Sequence, residues 1–430
     1  MKKNNVLLVS IDAVKPDILF HQEKYGLQLN TLNSLMEKGS YTVKGNTSVF
    51  PSFTYCAHQS IITGCHPEKH KIYTNKLFDP KNHHMDAWYW YVNKNVPTLW
   101  EEAKRNGYFT INLGFPTSVM AKTDLNIPEY WRDTTDYDSE ILQAVSTPQG
   151  LSAEFEAVYN KNIPCGKWDL KDDETKLEQC LWLLDTKVKN KVDKPIFMTT
   201  YFASYDDLAH NVGTYHPKAL SYLQKTDDYL GVLIQKMKEI FNDQLIICVI
   251  SDHGMMDNIG DVYINHILYK NGLIQLTNQG QIEETLAYCQ RSGGVGLIKT
   301  KNKKIQDEVY ALLVEKMKQY PHIITQVMTG MEAEKSRHGC GGYDLIVTTA
   351  PGWEVREDCT KGFIREIPSQ RAQHGYDENC DDMKAIFVIA GKNIPKQQKI
   401  EGHSIIDIAP TLAHLMGFTM KSAQGVNMLS

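Results

Sequence analysis

Short apolar runs separated by helical stretches are the main pattern along this chain. The runs occupy residues 6–11, 108–113, 196–201, 245–250 and 385–390. Each run is nearly continuous and rich in β-branched side chains, which is typical of strands that helices cover on both faces. The pattern therefore predicts an α/β fold with a mostly parallel central sheet flanked by helices.

An amphipathic helix is predicted over residues 218–240. Its apolar side chains recur at helical spacing, at Leu223, Leu230, Leu233, Met237 and Ile240. Such a stripe covers one face of a helix, so we expect this helix to pack on the sheet.

The pattern changes between residues 261 and 370. Strand-like runs at 295–300 and 345–349 flank a helical stripe that extends from Ile305 to Met317. This texture indicates a small α+β insertion and a candidate lid. The main core would then consist of residues 1–260 and 371–430, and the insertion of residues 261–370.

Charge and hydropathy narrow the class of partner. The net charge is -5, with acidic and basic residues interspersed, so no basic field favours a nucleic-acid polymer or an anionic membrane. No apolar run approaches the ~18–20 residues of a membrane span. A small anionic substrate would need a locally positive site, which bound metal ions can supply.

The cysteines and the first apolar run bear on the compartment. Nine cysteines are scattered without paired spacing, which argues against a disulfide framework and for a reducing, cytoplasmic location. The first run is shorter than the ~7–15 residues of a signal-peptide core and ends at Asp12 instead of a small-residue cleavage site. We therefore expect this run to be a buried strand.

Acidic and imidazole side chains lie close to the ends of these runs. They are Asp12, Asp206, His210, Asp252, His253 and His374. Ligands of open α/β sheets bind at the carboxyl ends of strands, and carboxylate with imidazole suits zinc, manganese or iron. A single such aspartate is more often a helix cap, but six polar groups at one edge would be costly without an ion. The conjunction predicts a metal site.

A metal site of this kind calls for an activated hydroxyl. Two ions ~3.5–4 Å apart clamp the oxygens of an in-line displacement at phosphorus. Thr54 precedes a helix-like stretch that ends at Gly64. The N-terminus of such a helix favours a bound anion. By pattern alone Ser52 or Ser60 would serve nearly as well, and Thr54 could be only an N-cap.

The nucleophile region carries a family resemblance. Thr54, the stretch 60–64 and Asn75, taken with the six candidate ligands, resemble the alkaline phosphatase superfamily. The chain is most similar to the nucleotide pyrophosphatase/phosphodiesterase branch (type I phosphodiesterase), with some similarity to phosphonoacetate hydrolase.

The resemblance implies a role for each of these residues. One ion would be held by Asp206, His210 and His374, and a second by Asp12, Asp252, His253 and Thr54. Zinc is the first candidate, and manganese or iron are the alternatives. Thr54 would attack phosphorus to form a covalent phosphothreonine that water releases, and Asn75 would donate a hydrogen bond to a phosphoryl oxygen.

The implied activity is hydrolysis of phosphodiester or nucleotide pyrophosphate bonds in a small phosphorylated substrate such as a nucleotide. The alternatives are phosphonoacetate hydrolysis, with C–P bond cleavage, and phosphomonoester hydrolysis. Tyr55 and Tyr205 are next to site residues, so we expect them to line the substrate pocket. The aromatic run at 88–91 either stacks a nucleobase or packs a loop on the core.

Overall fold

The computed structural model of the protein describes residues 3–83, 88–90, 96–132, 137–165, 170–242 and 244–429. The strands are β1 (Asn5–Ile11), β2 (Gly39–Thr42), β3 (Phe109–Leu113), β4 (Leu125–Ile127), β5 (Ile196–Phe202), β6 (Leu245–Ile250), β7 (Met256–Asp257), β8 (Gly260–Val262), β9 (Ile274–Leu276), β10 (Ile282–Thr285), β11 (Ala287–Ser292), β12 (Val295–Thr300), β13 (Ile324–Thr329), β14 (Leu345–Thr349), β15 (Trp353–Val355), β16 (Ile364–Arg365), β17 (Ala372–Gln373), β18 (Phe387–Gly391) and β19 (Gln398–Ile400).

The helices are α1 (Pro16–Phe20), α2 (Asn30–Lys38), α3 (Thr54–Thr63), α4 (Pro67–His70), α5 (Leu99–Arg105), α6 (Ser139–Val145), α7 (Leu151–Tyr159), α8 (Leu170–Leu183), α9 (Ser204–Val212), α10 (Pro217–Phe241), α11 (Ile264–Lys270), α12 (Lys303–Gln319), α13 (Gly330–Arg337) and α14 (Ile408–Leu415). Within the described ranges, none of these helices is both long enough and apolar enough to cross a membrane.

An eight-stranded sheet forms the centre of the molecule, in the order β19-β2-β18-β6-β1-β5-β3-β4. The strands from β6 to β4 run parallel, whereas β18 runs antiparallel to both β6 and β2. The prediction of a mostly parallel sheet is confirmed. The antiparallel strand β18 corresponds to the apolar run at 385–390. Its direction was not predicted, because an apolar run shows that a strand is buried but not which way it runs.

Helices cover both faces of this sheet, as continuous burial of its strands requires. Alternate side chains of β1 enter two different cores, with Leu7 and Val9 on one side and Val6 and Leu8 on the other. The first of these cores contains the stripe of α10 from Leu223 to Met237. The predicted helix at 218–240 is therefore confirmed, and it packs where the stripe indicated.

A second sheet lies within the predicted insertion. It is antiparallel, in the order β11-β12-β14-β13, and α12 packs on it around a separate apolar core. The predicted runs at 295–300 and 345–349 are its strands β12 and β14. A small sheet of β15, β8 and β16 joins residues near both predicted boundaries, and the division into core and insertion stays a prediction.

A buried carboxylate ties α10 to the start of α2. Asp227 accepts hydrogen bonds from the backbone N–H groups of Thr31 at 2.8 Å and Leu32 at 2.9 Å. The helix α2 has no side-chain cap from its own N-cap residue. Asp227 therefore satisfies N–H groups that a helix N-terminus leaves without intrahelical partners.

We expect Asp227→Ala to lower the free energy of unfolding by about 2 kcal/mol, because two buried N–H groups lose a charged acceptor. Urea unfolding followed by circular dichroism measures this. The matched control is Asp228→Ala at the exposed neighbouring position, which should stay within about 0.5 kcal/mol of the parent protein. Equal losses in the two variants would contradict the capping role.

Candidate functional site

Three neighbouring strands carry acidic side chains to one edge of the central sheet. The strands β5, β1 and β6 are adjacent and parallel, so their carboxyl ends meet at this edge. Asp12 directly follows β1, and Asp206 lies in the first turn of α9 after β5. Asp252 lies two residues beyond the end of β6. The strand order therefore brings three carboxylates together from distant parts of the sequence.

The three candidate histidines are all held in the same way. In each ring Nδ1 donates to a backbone carbonyl, which leaves Nε2 as the nitrogen available to a ligand. The acceptors are Ala372 O at 2.9 Å from His210, Ser52 O at 3.1 Å from His374 and Gly254 O at 3.0 Å from His253. These bonds fix the tautomer and the orientation of the rings.

The Nε2 atoms point at the carboxylates. His210 Nε2 lies 3.2 Å from Asp206 Oδ2, and His374 Nε2 lies 3.9 Å from Asp206 Oδ1. His253 Nε2 lies 3.0 Å from Asp252 Oδ2 and 3.6 Å from Asp12 Oδ1. Among the described residues, these atoms give two groups that can hold a metal ion: Asp206 with His210 and His374, and Asp12 with Asp206 and His253.

The first group matches the set that the resemblance implied, and the second differs. Asp206 belongs to both groups, and its two oxygens face His210 and His374 of the first group. Asp252 lies beside His253 but is not part of the second group. The side chain that connects the two groups is therefore Asp206.

The residues present fit a divalent cation. One oxygen of each carboxylate is buried and has no hydrogen-bond partner: Asp12 Oδ1, Asp206 Oδ1 and Asp252 Oδ2. Burial and the charges of Asp206 and Asp252 raise the pKa of Asp12 well above its ordinary value, although Tyr201 donates to it. Buried like charges of this kind need a compensating cation, and the mixed oxygen and nitrogen donors suit zinc.

The charge states of the imidazoles differ across the site. Burial, helped by the neighbouring rings of His253 and His210, lowers the pKa of His374 well below its ordinary value, so this ring is neutral. Burial also acts against the charged form of His210, but the Asp206 carboxylate outweighs it and raises the pKa of His210 to about 9. A cation that binds there must displace a proton, so its affinity should rise as the pH rises towards that value.

Of the three candidate hydroxyls, Thr54 is the one that faces the site. It is the first residue of α3, and its Oγ1 lies 3.3 Å from His253 Nε2. Ser52 donates to a backbone carbonyl three residues before it, and Ser60 is hydrogen-bonded to His70, both with their side chains buried. The geometry favours Thr54 where the sequence pattern alone could not decide.

His58 supports the nucleophile from the next turn of α3. Its Nδ1 donates to Thr54 O at 2.8 Å, and its Nε2 accepts from Ser10 Oγ at 2.9 Å. Burial lowers the pKa of His58, which is consistent with a neutral ring that makes one bond of each kind. The sequence signal available for this position was its four-residue spacing from Thr54.

Asn75 lies beside the start of α3. Its Oδ1 accepts a hydrogen bond from the backbone N–H of Tyr55 at 2.9 Å, and the side chain lines the cavity. Because Oδ1 is engaged in this way, the amide orients Nδ2 as its donor branch. That orientation suits the implied role of donating to a phosphoryl oxygen.

The site opens into a cavity of about 280 Å³. One side, here called the aromatic wall, is formed by Tyr55, Trp88, Trp131 and Tyr201. Trp90 points elsewhere, packs on Tyr130 with ring centroids 4.8 Å apart and donates to Trp131 O. The aromatic run at 88–91 thus divides, with Trp88 at the cavity and Trp90 on the core, while Tyr91 lies outside the described residues.

Tyr205 does not line the cavity, so the expectation for this residue is corrected. The side chain is 1% exposed, belongs to the core on one face of the sheet, and donates its hydroxyl to Thr214 O at 3.1 Å. Successive side chains on a helix point about 100° apart. Because Asp206 faces the sheet edge, its neighbour in α9 points away from it.

Three cavity residues carried no sequence signal. Tyr201 donates its hydroxyl hydrogen to Asp12 Oδ2. Glu129 and Arg291, which are far apart in the sequence, both line the cavity. None of them stands in a recognisable motif. Their positions follow from contacts between segments that are far apart in the sequence.

Comparison with known proteins bears on this geometry. Residues 6–377 match the family described as type I phosphodiesterase / nucleotide pyrophosphatase. The chain is 24% identical over 429 residues to ectonucleotide pyrophosphatase/phosphodiesterase family member 5 of Homo sapiens, covering 98% of this chain and 76% of the relative. It is 24% identical over 420 residues to bis(5'-adenosyl)-triphosphatase ENPP4 of Homo sapiens, covering 96% and 78%.

Some relatives are much longer than this chain. Ectonucleotide pyrophosphatase/phosphodiesterase family member 1 of Rattus norvegicus is 27% identical over 252 residues, covering 58% of this chain and 24% of the relative. The aligned part thus spans about a quarter of that protein.

Solved structures agree with the fold. Human ectonucleotide pyrophosphatase/phosphodiesterase 5 has a TM-score of 0.68 at 22% identity, covering 98% of this chain and 96% of that one. An inactive variant of the murine protein in complex with AMP has a TM-score of 0.68 at 21% identity, covering 99% and 97%. At this identity the likeness shows the fold alone.

We expect Asp206→Ala to weaken metal binding by more than the ~10–100-fold that loss of a supporting residue costs, because Asp206 faces both groups. Metal content after dialysis against limiting zinc, measured by plasma mass spectrometry, tests this. The matched control is Asp207→Asn, the next residue of α9, which is in neither group and should retain its metal. Full metal content in Asp206→Ala would remove Asp206 from the centre of the site.

Proposed function

Because the chain belongs to the type I phosphodiesterase/nucleotide pyrophosphatase family, we propose that it hydrolyses phosphodiester or nucleotide pyrophosphate bonds through a covalent phosphothreonine at Thr54. One observation carries this proposal. The Oγ1 of Thr54, at the N-terminus of α3, lies 3.3 Å from His253 Nε2 and beside two groups of metal-binding side chains. A hydroxyl in that position is placed to attack phosphorus.

The proposal includes two divalent ions, with zinc first and manganese or iron as alternatives. One would be held by Asp206, His210 and His374, and the other by Asp12, His253 and Thr54, with Asp206 or Asp252 completing the set. Ions bound there supply the positive charge that lowers the pKa of the threonine hydroxyl and neutralises the phosphoryl group. The unpartnered carboxylate oxygens support this assignment.

The remaining roles in the reaction fall to residues of the chain itself. Thr54 Oγ1 releases its proton to solvent and forms a bond to phosphorus, while the leaving-group oxygen departs with the electron pair and takes up a proton. Water then attacks phosphorus and breaks the bond to Thr54, whose hydroxyl is protonated again, which completes a net hydrolysis. The N-terminus of α3 favours the negative phosphoryl group through the helix dipole. Asn75 Nδ2 donates to a phosphoryl oxygen, and His58 holds the Thr54 backbone in place.

A nucleotide is the substrate class we favour. A cavity of about 280 Å³ suits a small molecule, and its aromatic wall offers rings for a base. One relative is named as a bis(5'-adenosyl)-triphosphatase, and one similar structure holds AMP. Those ligands belong to the relatives and support a nucleotide here by analogy.

A cytoplasmic location remains a prediction. All nine cysteines are free thiols in the structure, and eight of them are buried. A reducing compartment is compatible with that state. Fractionation of cells that express the full chain would test the location.

We expect Thr54→Ala to lower kcat by on the order of 10⁴-fold or more with its metal content unchanged, because the attacking oxygen is lost. Thr54→Ser keeps a hydroxyl and should retain part of the rate. The assay compares a p-nitrophenyl phosphodiester, the matching monoester, a dinucleotide polyphosphate and phosphonoacetate, with and without EDTA.

The outcomes of this assay separate the candidates. Preference for the diester or the dinucleotide, lost with EDTA, is the expected result. Preference for phosphonoacetate or the monoester would replace the substrate and keep the site. A Thr54→Ala variant with most of its activity would show that Thr54 is not the nucleophile.

A further inference from the structure

A buried carboxyl group lies in the cavity and has no part in the reaction described above. Glu129 is 6% exposed and lines the cavity. Its Oε2 accepts a hydrogen bond from the hydroxyl of Tyr55, the residue next to the nucleophile. Burial raises the pKa of Glu129 to about 7, although the Tyr55 hydrogen bond and the charge of Lys176 act in the opposite direction.

Aromatic rings line the cavity together with this carboxyl group. The Tyr55 and Trp88 rings meet edge to face with centroids 5.4 Å apart, and the Trp88 and Trp131 centroids are 5.8 Å apart. Trp131 follows Glu129 by two residues and lines the same cavity. A ligand group that enters the aromatic wall therefore meets aromatic rings and, beside Tyr55, a hydrogen-bond acceptor.

The chemistry of this corner restricts the ligand. Above about pH 7 the carboxyl group is mostly ionised, and an ionised carboxylate only accepts hydrogen bonds, so it attracts N–H donors and repels oxo groups. Two ligand types answer to that description beside aromatic rings: a planar base with an amino group, and an organic cation. Each would contact the same residues.

The position of Lys76 favours the base. Its ammonium group lies 5.5 Å from the centroid of the Trp88 ring, and the residue lines the cavity. A cationic ligand at this wall would be repelled by that ammonium group at short range. A neutral base that donates an amino hydrogen to the carboxylate meets no such repulsion.

We propose that Glu129 is a specificity residue that selects nucleotides whose base carries an amino group at the aromatic wall. The inference rests on the proposed function, since it concerns the substrate of the same site. Glu129 accepts a hydrogen bond from the amino group, while Trp88 and Trp131 contact the ring. A base without that amino group leaves the buried carboxylate with no new partner and is bound less well.

The test compares two substrates that differ by this amino group alone. They are the p-nitrophenyl esters of adenosine 5'-monophosphate and of purine riboside 5'-monophosphate. The protein should prefer the adenosine ester by about tenfold or more in kcat/KM, the effect of one hydrogen bond to a charged acceptor. In Glu129→Met, which keeps the length of the side chain without the acceptor, the ratio should fall to about one.

Two further variants allow the test to be made even if Glu129→Met does not fold. Glu129→Gln retains a weaker acceptor, and its ratio should drop at least threefold, so it decides the matter if the methionine variant does not fold. Glu140→Gln changes an exposed glutamate further along the chain that does not line the cavity, and it should leave the ratio unchanged. An unaltered ratio in the Glu129 variants would overturn the proposal, as would preference for p-nitrophenyl phosphorylcholine over both nucleotide esters.

Binding separates this proposal from the proposed function. If none of the esters is hydrolysed, the proposed function fails. Calorimetry with AMP and with purine riboside 5'-monophosphate still gives the ratio of Kd values for the metal-loaded protein and for Glu129→Met. A preference for AMP that the variant loses supports Glu129 as the specificity residue, and equal affinities in the parent protein contradict it.

Discussion

Buried negative charge at one edge of the central sheet is the constraint on which this structure depends. Asp12, Asp206 and Asp252 each keep a buried oxygen without a hydrogen-bond donor, where β1, β5 and β6 end side by side. Isolated buried carboxylates are too costly to persist uncompensated. The same arrangement, which is costly for the fold, therefore makes a place that suits cations, and the proposed metal site and phosphate chemistry both rest on this feature.

The backbone holds the groups that act at this edge. Each imidazole is fixed through a main-chain carbonyl, and His58 and Asn75 bind the backbone of the first turn of α3. Main-chain anchors do not depend on long, mobile side chains, so the geometry around Thr54 is set before a substrate arrives. This is the organisation expected of a site that must hold its groups within fractions of an ångström.

Burial and strand ends were the parts of this molecule that the sequence could predict. The strands β1, β5 and β6 and the helix α10 were predicted to within one or two residues, because burial on both faces or one stripe shows in the local pattern. The direction of β18, the position of Tyr205 and the placing of Glu129 were not accessible in this way. Each depends on contacts between distant segments. The same holds for the need for glycine at position 293, where a Cβ would lie 1.8 Å from His374 O.

Anomalous diffraction from crystals of the zinc-loaded protein would locate the ions. We expect two peaks at the edge of the sheet, one among Asp206, His210 and His374, and one among Asp12, His253 and the hydroxyl of Thr54. Data collected on both sides of the zinc absorption edge identify the element. Peaks at other places, or none at this edge, would contradict the claim that these carboxylates are held together by metal ions.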